Sequence, residues 1–243
     1  VPVDSEHFSL WYGIQNIKSE KVEKIFLTAS GGPLYKIPLK KLSSVDVKQA
    51  INHPRWKMGK KISTDSATMM NKVYEVIEAK NIFNLPYEKI KILIHPNSYI
   101  HAIIKFTNGL IKIIAHDTTM KIPIFNTIYL NNEKKIKTQK INIKTLNSLY
   151  FDEINMEKYP MIKLLNYLPK RHSLFETVVV SANDTFVDLF LKRKIKFLDI
   201  QKKLFKVIRN KKFTKYKKIY PKKLEDIAKL NNYVRLKILT NSI

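Results

Sequence analysis

The run Lys60-Lys-Ile-Ser-Thr-Asp-Ser-Ala-Thr-Met-Met-Asn-Lys-Val-Tyr-Glu75 sets hydroxyls, an amide, a lysine and a carboxylate around one predicted helix start. Ser63, Thr64, Asp65 and Ser66 are strong N-cap types, and the apolar-rich stretch from Ala67 to Phe83 reads as helix. Ser66 is therefore expected in or near the first turn, where free backbone N–H groups and the helix dipole favour an anion. Asn71 and Glu75 are four apart and Lys72 and Glu75 three apart, so these side chains share roughly one side of the helix. Lys72 offers a point charge to a phosphate, and Asn71 offers two N–H donors. Glu75, one turn deeper, offers a carboxylate to a hard cation. An ordinary capped helix with an exposed Lys–Glu pair accounts for the same residues.

A second acidic cluster, Val3-Asp-Ser-Glu-His7, lies far upstream. Carboxylates two apart share a face on a strand, whereas on a loop they are usually solvated. Mg²⁺ and Mn²⁺ prefer carboxylate oxygens together with water and substrate oxygens. Asp4, Glu6 and the distant Glu75 would suit such an ion, but spacing along the chain leaves open whether they meet.

These residues need a frame. The apolar run Ile25 to Ala29 reads as a strand, and Ser30-Gly-Gly-Pro33 after it as a turn whose backbone N–H groups can approach an anion. His53 to Gly59 reads as a loop broken by Pro54 and Gly59. Lys91 to Ile94, Ile100 to Phe106 and Leu110 to Ala115 read as strands, with Asn108-Gly109 as a hairpin turn. Pro123 begins a helical stretch, and Asn131 to Asn142 reads as a polar linker. From about Lys144 the period is helical, over Met161 to Leu168, Leu174 to Arg193, Asp199 to Asn210 and Pro221 to Leu239. The expected fold class is an α/β (α+β) domain over residues 1–135, followed by a linker and a C-terminal α-helical bundle over 136–243.

Composition narrows the function classes. The 243 residues carry a net charge of +25, which alone would suggest nucleic acid or an anionic surface. Forty of the 45 basic residues are Lys, however, and base readout leans on Arg. AT-rich codons favour the same Lys, Ile, Asn and Tyr usage, so nucleic acid is not the expected partner. The dense stretch Lys192 to Lys223 reads as an amphipathic helix with a solvated basic face, then a basic turn. With no Cys, there is neither a disulfide framework nor thiol catalysis. No apolar run reaches membrane-spanning length, and no signal peptide is visible.

Five segments occur in a fixed order: Pro2-Val-Asp-Ser-Glu-His7, Leu27-Thr-Ala-Ser-Gly-Gly-Pro33, His53-Pro-Arg-Trp-Lys-Met-Gly-Lys-Lys-Ile-Ser63, Asp65-Ser-Ala-Thr-Met-Met-Asn-Lys72 and His95-Pro-Asn-Ser-Tyr-Ile-His101. Together they resemble the 1-deoxy-D-xylulose 5-phosphate reductoisomerases of non-mevalonate isoprenoid synthesis, from Val1 to about Pro123 and more weakly to the end. The resemblance implies conversion of 1-deoxy-D-xylulose 5-phosphate to 2-C-methyl-D-erythritol 4-phosphate with NADPH and Mn²⁺ or Mg²⁺. It matches Asp4, Glu6 and Glu75 to metal ligands. It matches Ser5, Ser30, Ser66, Asn71 and Lys72 to substrate and phosphate contacts, and His53 to a substrate-binding histidine on a mobile loop that carries Trp56 and Met58. Gly59 matches a position near the nicotinamide. Glu6, Glu75, His53 and Lys72 are the implied catalytic set. His7 and His101 are expected in supporting roles, His95 at a strand end, and His116 and His172 as surface or otherwise satisfied histidines.

The resemblance also implies a homodimer, a phosphorylated sugar as substrate, and a bacterial cytoplasmic or plastid-like location. The family carries its NADPH domain ahead of the segment that begins this chain. No Gly-rich strand–turn–helix fingerprint occurs here, so the chain alone is expected neither to hold NADPH tightly nor to turn over. Val73 stands where the family usually has Gly. Asp117-Thr-Thr-Met-Lys121 departs from the family's acidic Pro-Asp-Met-Arg pattern, and Asp184 stands for a usual Glu. A basic binding module that has kept a decayed enzyme fold is the alternative that these departures and the charge leave open.

Overall fold

A computed structural model describes residues 1–130 and 134–240. In chain order the regular elements are α1 (Ser5–Ile14), β1 (Val22–Ala29), α2 (Val47–Ile51), α3 (Lys60–Thr68) and α4 (Met70–Phe83). Then follow β2 (Ile90–Ile94), β3 (Ile100–Phe106), β4 (Ile111–Ala115), α5 (Lys121–Ile128) and α6 (Ile143–Asn147). The last are α7 (Phe175–Leu191), α8 (Phe197–Arg209), α9 (Lys211–Thr214) and α10 (Leu224–Leu239). The mixed α/β class expected from the sequence is what is found. The segment from Pro160 to Tyr167, expected as α-helix, is a 3₁₀ helix. Residues 134–142 of the expected linker carry no regular structure, and its first three residues lie outside the described ones.

The chain forms two compact units, each discontinuous in sequence: Val1–Gly32 with Pro54–Lys57 and Asn71–Asn155, and Pro33–His53 with Met58–Met70 and Met156–Ile243. The first unit is built on a four-stranded sheet in the order β2-β1-β3-β4. β1 pairs parallel with β2 and antiparallel with β3, and β3 pairs antiparallel with β4. Ile25 and Leu27 of central β1 are fully buried. Helix α1 packs on β3 and β4. Gly13 permits that approach, since a Cβ there would run into Ile104 Cδ1. At the end of β1, Gly31 and Gly32 take φ of 84° and 70°, a region that side chains with a Cβ disfavour.

The second unit is organised around α7, whose Phe175, Val178, Val179, Ala182, Phe186 and Phe190 are buried at helical spacing. Helices α8 and α10 pack against it. Helix α8 has the expected amphipathic form: Ile200, Leu204, Val207 and Ile208 are buried, while Lys202 and Lys203 face solvent.

Because Leu27 has no exposed surface and lies in the central strand, Leu27→Ala is expected to cost about 2–5 kcal/mol in urea unfolding. Unchanged stability would contradict the placement of β1 at the centre of this core.

Candidate active site

Asp4 and Glu6 sit on neither a strand nor a loop. Asp4 is the N-cap of α1, and its Oδ1 accepts hydrogen bonds from the backbone amides of Glu6 and His7, each at 3.1 Å. Glu6 lies in the first helical turn, where the dipole favours a carboxylate. The Asp-x-x-His start thus fixes both acids to the end of one helix.

Glu75 reaches them through α4. The α1 residue His7, 2 % exposed, donates from Nε2 to the backbone carbonyl of Glu75 at 2.9 Å. Its Nδ1 lies 3.4 Å from Asp4 Oδ1 and 3.6 Å from Glu78 Oε2. One oxygen from each of Asp4, Glu6 and Glu75 falls within 4.8 Å of the others. The supporting role expected for His7 takes this form: it ties the local acid pair to the distant acid.

Lys72 occupies the centre. Its Nζ donates to Glu6 Oε1 at 2.8 Å and to Glu75 Oε2, while Asn71 Nδ2 donates to Glu75 Oε1. Ser5 Oγ donates to Glu6 Oε2. Lys72 and Glu75 are 4 % and 3 % exposed, which removes the reading of an exposed helix-surface pair. Val73 is fully buried on the same helix.

The electrostatics are unbalanced. Burial drives the Lys72 pKa down, but Glu6 and Glu75 outweigh it and hold the ammonium charged well above its usual range. Burial likewise raises Glu6, and Lys72, assisted by His101, more than compensates, bringing that carboxyl to about 2. Glu75 goes the other way: burial first, then the Glu6 charge, push it well above the usual carboxylate range against the pull of Lys72. Three carboxylates share one ammonium, and burial, with the Glu6 charge next, raises Asp4 as well as Glu75. This donor set, all hard oxygens with more carboxylates than cations, fits a divalent cation of the Mg²⁺ or Mn²⁺ type.

Two histidines lie beside this cluster: His101, expected in a supporting role, and His116, which no motif marked. His101 and His116 stack with centroids 3.7 Å apart and planes 12° apart. His101 is 2 % exposed; burial and then His116 lower its pKa to about 4, so the ring is neutral at pH 7. Of the surface or satisfied placements expected for His116, the surface one is not found: the residue is half-buried with Nδ1 on the Asp117 carbonyl, and burial lowers its pKa. The expected strand-end place of His95 is observed, with its Nδ1 on the Tyr150 carbonyl at 2.8 Å.

The other expected residues are placed as follows. Ser30 ends β1, and its Oγ accepts from the Gly32 amide at 3.1 Å. Trp56 sits edge-on to His101 at 6.5 Å. A polar cavity of about 620 Å³ in this unit is lined by Arg55, Asn97, Asp117, Lys121 and neighbours, and none of the three clustered acids borders it.

In the second unit, His53 follows α2, and burial lowers its pKa to about 4. Met58 leads to Gly59, the N-cap of α3, where a Cβ would meet nothing within 4 Å. The helix start expected at Ser63 to Ser66 is corrected: α3 begins at Lys60, and Ser66 lies in its last turn. Asp65, 1 % exposed, is not a cap. It accepts from Asn183 Nδ2 at 2.8 Å and pairs with Lys61 at 2.8 Å, and Lys61 in turn reaches Asp184 at 3.0 Å. Met69 ends α3 at φ 65°, and α4 starts afresh at Met70, whose amide donates to Thr68 Oγ1. The first-turn position expected for Ser66 is taken instead by Asn71 and Lys72 on α4.

With this geometry in hand, comparison with known proteins is informative. Residues 1–83 match the model of the 1-deoxy-D-xylulose 5-phosphate reductoisomerase C-terminal domain, and residues 117–237 match that of the DXP reductoisomerase C-terminal domain. The chain is 55 % identical over its whole length to the 1-deoxy-D-xylulose 5-phosphate reductoisomerase of Pelagibacter ubique, covering 63 % of that protein. It is 41 % identical to that of Sulfurihydrogenibium sp. over 83 % of the chain and 54 % of the relative. Among solved structures, a DOX-P reductoisomerase in complex with NADPH, fosmidomycin and magnesium superposes with a TM-score of 0.88 at 32 % identity, over 99 % of this chain and 62 % of that one. The Zymomonas mobilis reductoisomerase in complex with NADPH gives 0.84 at 32 % identity, over 98 % and 60 %. The chain thus spans less than two thirds of the length of these relatives.

The charge surplus has a measurable consequence. Glu75 has a folded pKa above its ordinary 4.5. Its stabilising protonated form is fully present below that value, and the contribution is lost as pH rises through the folded pKa. Without metal, Glu75→Gln is therefore expected to melt above the parent chain at pH 8 and close to it at pH 4. An effect of 1 kcal/mol would read as about 2–4 °C. A variant less stable at pH 8 would show that Glu75 is a net stabilising carboxylate.

Proposed function

We propose a function from one premise: the chain belongs to the 1-deoxy-D-xylulose 5-phosphate reductoisomerase family, of which it carries the C-terminal domains. Its natural protein converts 1-deoxy-D-xylulose 5-phosphate to 2-C-methyl-D-erythritol 4-phosphate, with NADPH as reductant and Mg²⁺ or Mn²⁺ as the ion. The observation that carries this reading is the convergence of Asp4, Glu6 and Glu75 around buried Lys72. Asp4, Glu6 and Glu75 would hold the ion. When bound, it supplies Lewis-acid polarisation of a substrate carbonyl, and NADPH supplies hydride.

The chain's own residues perform the remaining tasks. Lys72 keeps its proton at Nζ and holds Glu6 ionised, so Glu6 presents a charged oxygen throughout. Glu75, oriented by Asn71, would hold the ion in its ionised form, which loading would favour. Ser5 fixes the second Glu6 oxygen. Asn71 and Lys72, in the first turn of α4, add side-chain donors to backbone amides that favour an anionic group. Ser30, Ser66 and His53 as further substrate contacts, Gly59 beside the nicotinamide, and Trp56 and Met58 as the covering loop rest on the family resemblance. Open space at the Gly59 Cβ position leaves room for a flat group. Phosphate binding remote from the reacting carbons would hold them in place, and a closed loop would exclude water.

A homodimer is part of the proposal. β4 ends the sheet, and Leu110, Ile111 and Ile113 at that edge are 65 %, 59 % and 54 % exposed, an apolar edge of the kind that a second copy covers. Among the described residues no helix is long and apolar enough to cross a membrane. Of the bacterial cytoplasmic and plastid-like locations that the resemblance implies, the bacterial relatives favour the bacterial one.

The test is NADPH oxidation driven by 1-deoxy-D-xylulose 5-phosphate and Mg²⁺, with the full-length natural protein that contains this chain. Lys72→Ala and Glu6→Gln are each expected to lower kcat by about 10²-fold or more. Absence of turnover in the parent, or full activity in both variants, would overturn the reading.

A further inference from the structure

The pairing of β3 with β4 is irregular at one place. Ile100 opposes Ala115 and Ala102 opposes Ile114, leaving His101 as the extra residue of a bulge. Bulges re-aim a side chain at the cost of one ladder contact. Thr28 of β1 steadies this one, its Oγ1 donating to the carbonyls of Ile100 at 2.6 Å and His101 at 3.3 Å. The ring turned out by the bulge is not left to rotate. It lies flat on His116, one residue past the end of β4, and its Nε2 meets the His116 backbone oxygen at 3.3 Å. His116 is itself held, by Nδ1 on the Asp117 carbonyl at 2.8 Å and by the edge of the Phe8 ring at 6.4 Å. Trp56 meets the His101 ring edge-on at 6.5 Å.

A carbonyl oxygen only accepts hydrogen bonds, so it fixes the His101 proton on Nε2 and leaves the lone pair on Nδ1. We propose that His116 is a positioning residue: its ring and its backbone oxygen lock His101 in the Nε2–H tautomer, so that His101 Nδ1 is a fixed acceptor for a hydroxyl or N–H of the bound ligand. The ligand half rests on the function proposed above; the tautomer half stands on geometry alone. Nothing in the order of motifs marks His116, because its partner lies across the hairpin.

The experiment uses the chain itself, ¹⁵N-labelled, with imidazole nitrogens read by long-range ¹H–¹⁵N correlation at pH 7. His101 is expected as a single Nε2–H tautomer in the parent and in His116→Phe, which keeps both an aromatic face and the backbone oxygen. His116→Ala keeps that oxygen but removes the stacked face, so the His101 ring is free to turn away from it and a mixture is expected. In parallel, fosmidomycin with Mg²⁺ is titrated into all three. His116→Ala is expected to bind about tenfold more weakly, the scale of one hydrogen bond, and His116→Phe within about twofold of the parent. An Nδ1–H His101 in the parent, or an unchanged tautomer in His116→Ala, overturns the positioning role. If the parent shows the Nε2–H tautomer but no affinity for fosmidomycin, the ligand half falls together with the functional reading. Should His116→Ala fail to fold, the parent and His116→Phe still decide the tautomer.

Discussion

Lys72 is a buried ammonium held between two carboxylates, with a third close by, and the first unit is arranged around that charge. Burying an ammonium is costly unless it is paired and hydrogen-bonded, so each neighbour must be in place for the cluster to persist. α1 supplies Glu6 at its start, α4 supplies Lys72 and Glu75, and His7 links the two helices through the Glu75 carbonyl. The close packing of α1 on the sheet, which Gly13 allows, sets the height of the first acid pair. Such a cluster adds little to stability, because desolvation offsets most of the Coulomb gain. A site with more carboxylates than cations is better understood as a receptor for a further cation.

The second unit contains a buried polar group of its own. Asp65 is paired with Lys61 and hydrogen-bonded by Asn183, and Lys61 also reaches Asp184. That network sets two carboxylates on one ammonium, and it ties α3 to α7. The two groups differ in degree: two carboxylates share Lys61 in one, while three crowd Lys72 in the other, where burial and the added carboxylates push Glu75 well above its ordinary range.

Much of this was legible in the sequence. The three- and four-residue spacings did place Asn71, Lys72 and Glu75 on one side of α4, and the strands and their hairpin turn lie where period and turn chemistry put them. The errors have physical causes. Ser63 to Ser66 are cap types by composition, yet the helix runs through them, because Asp65 finds its partner on α7 and the Thr64 hydroxyl bonds back to the Lys60 carbonyl. The break comes at Met69 in a left-handed conformation that its residue type does not announce. Asp4 was the reverse case, a cap signal before an apolar run read as strand or loop. His116 and the meeting of Glu75 with Asp4 depend on contacts across the fold, which local spacing does not encode.

On the proposed reading, Asp4, Glu6 and Glu75 form one cation site. Its most direct test is a Mn²⁺ titration of the chain followed by electron paramagnetic resonance, with Asp4→Asn and Glu75→Gln alongside. One ion per chain is predicted, bound more weakly as pH falls and the proton on Glu75 competes, with each substitution weakening it by about tenfold or more. Binding that is absent, or indifferent to Glu75 and to pH, would contradict the account.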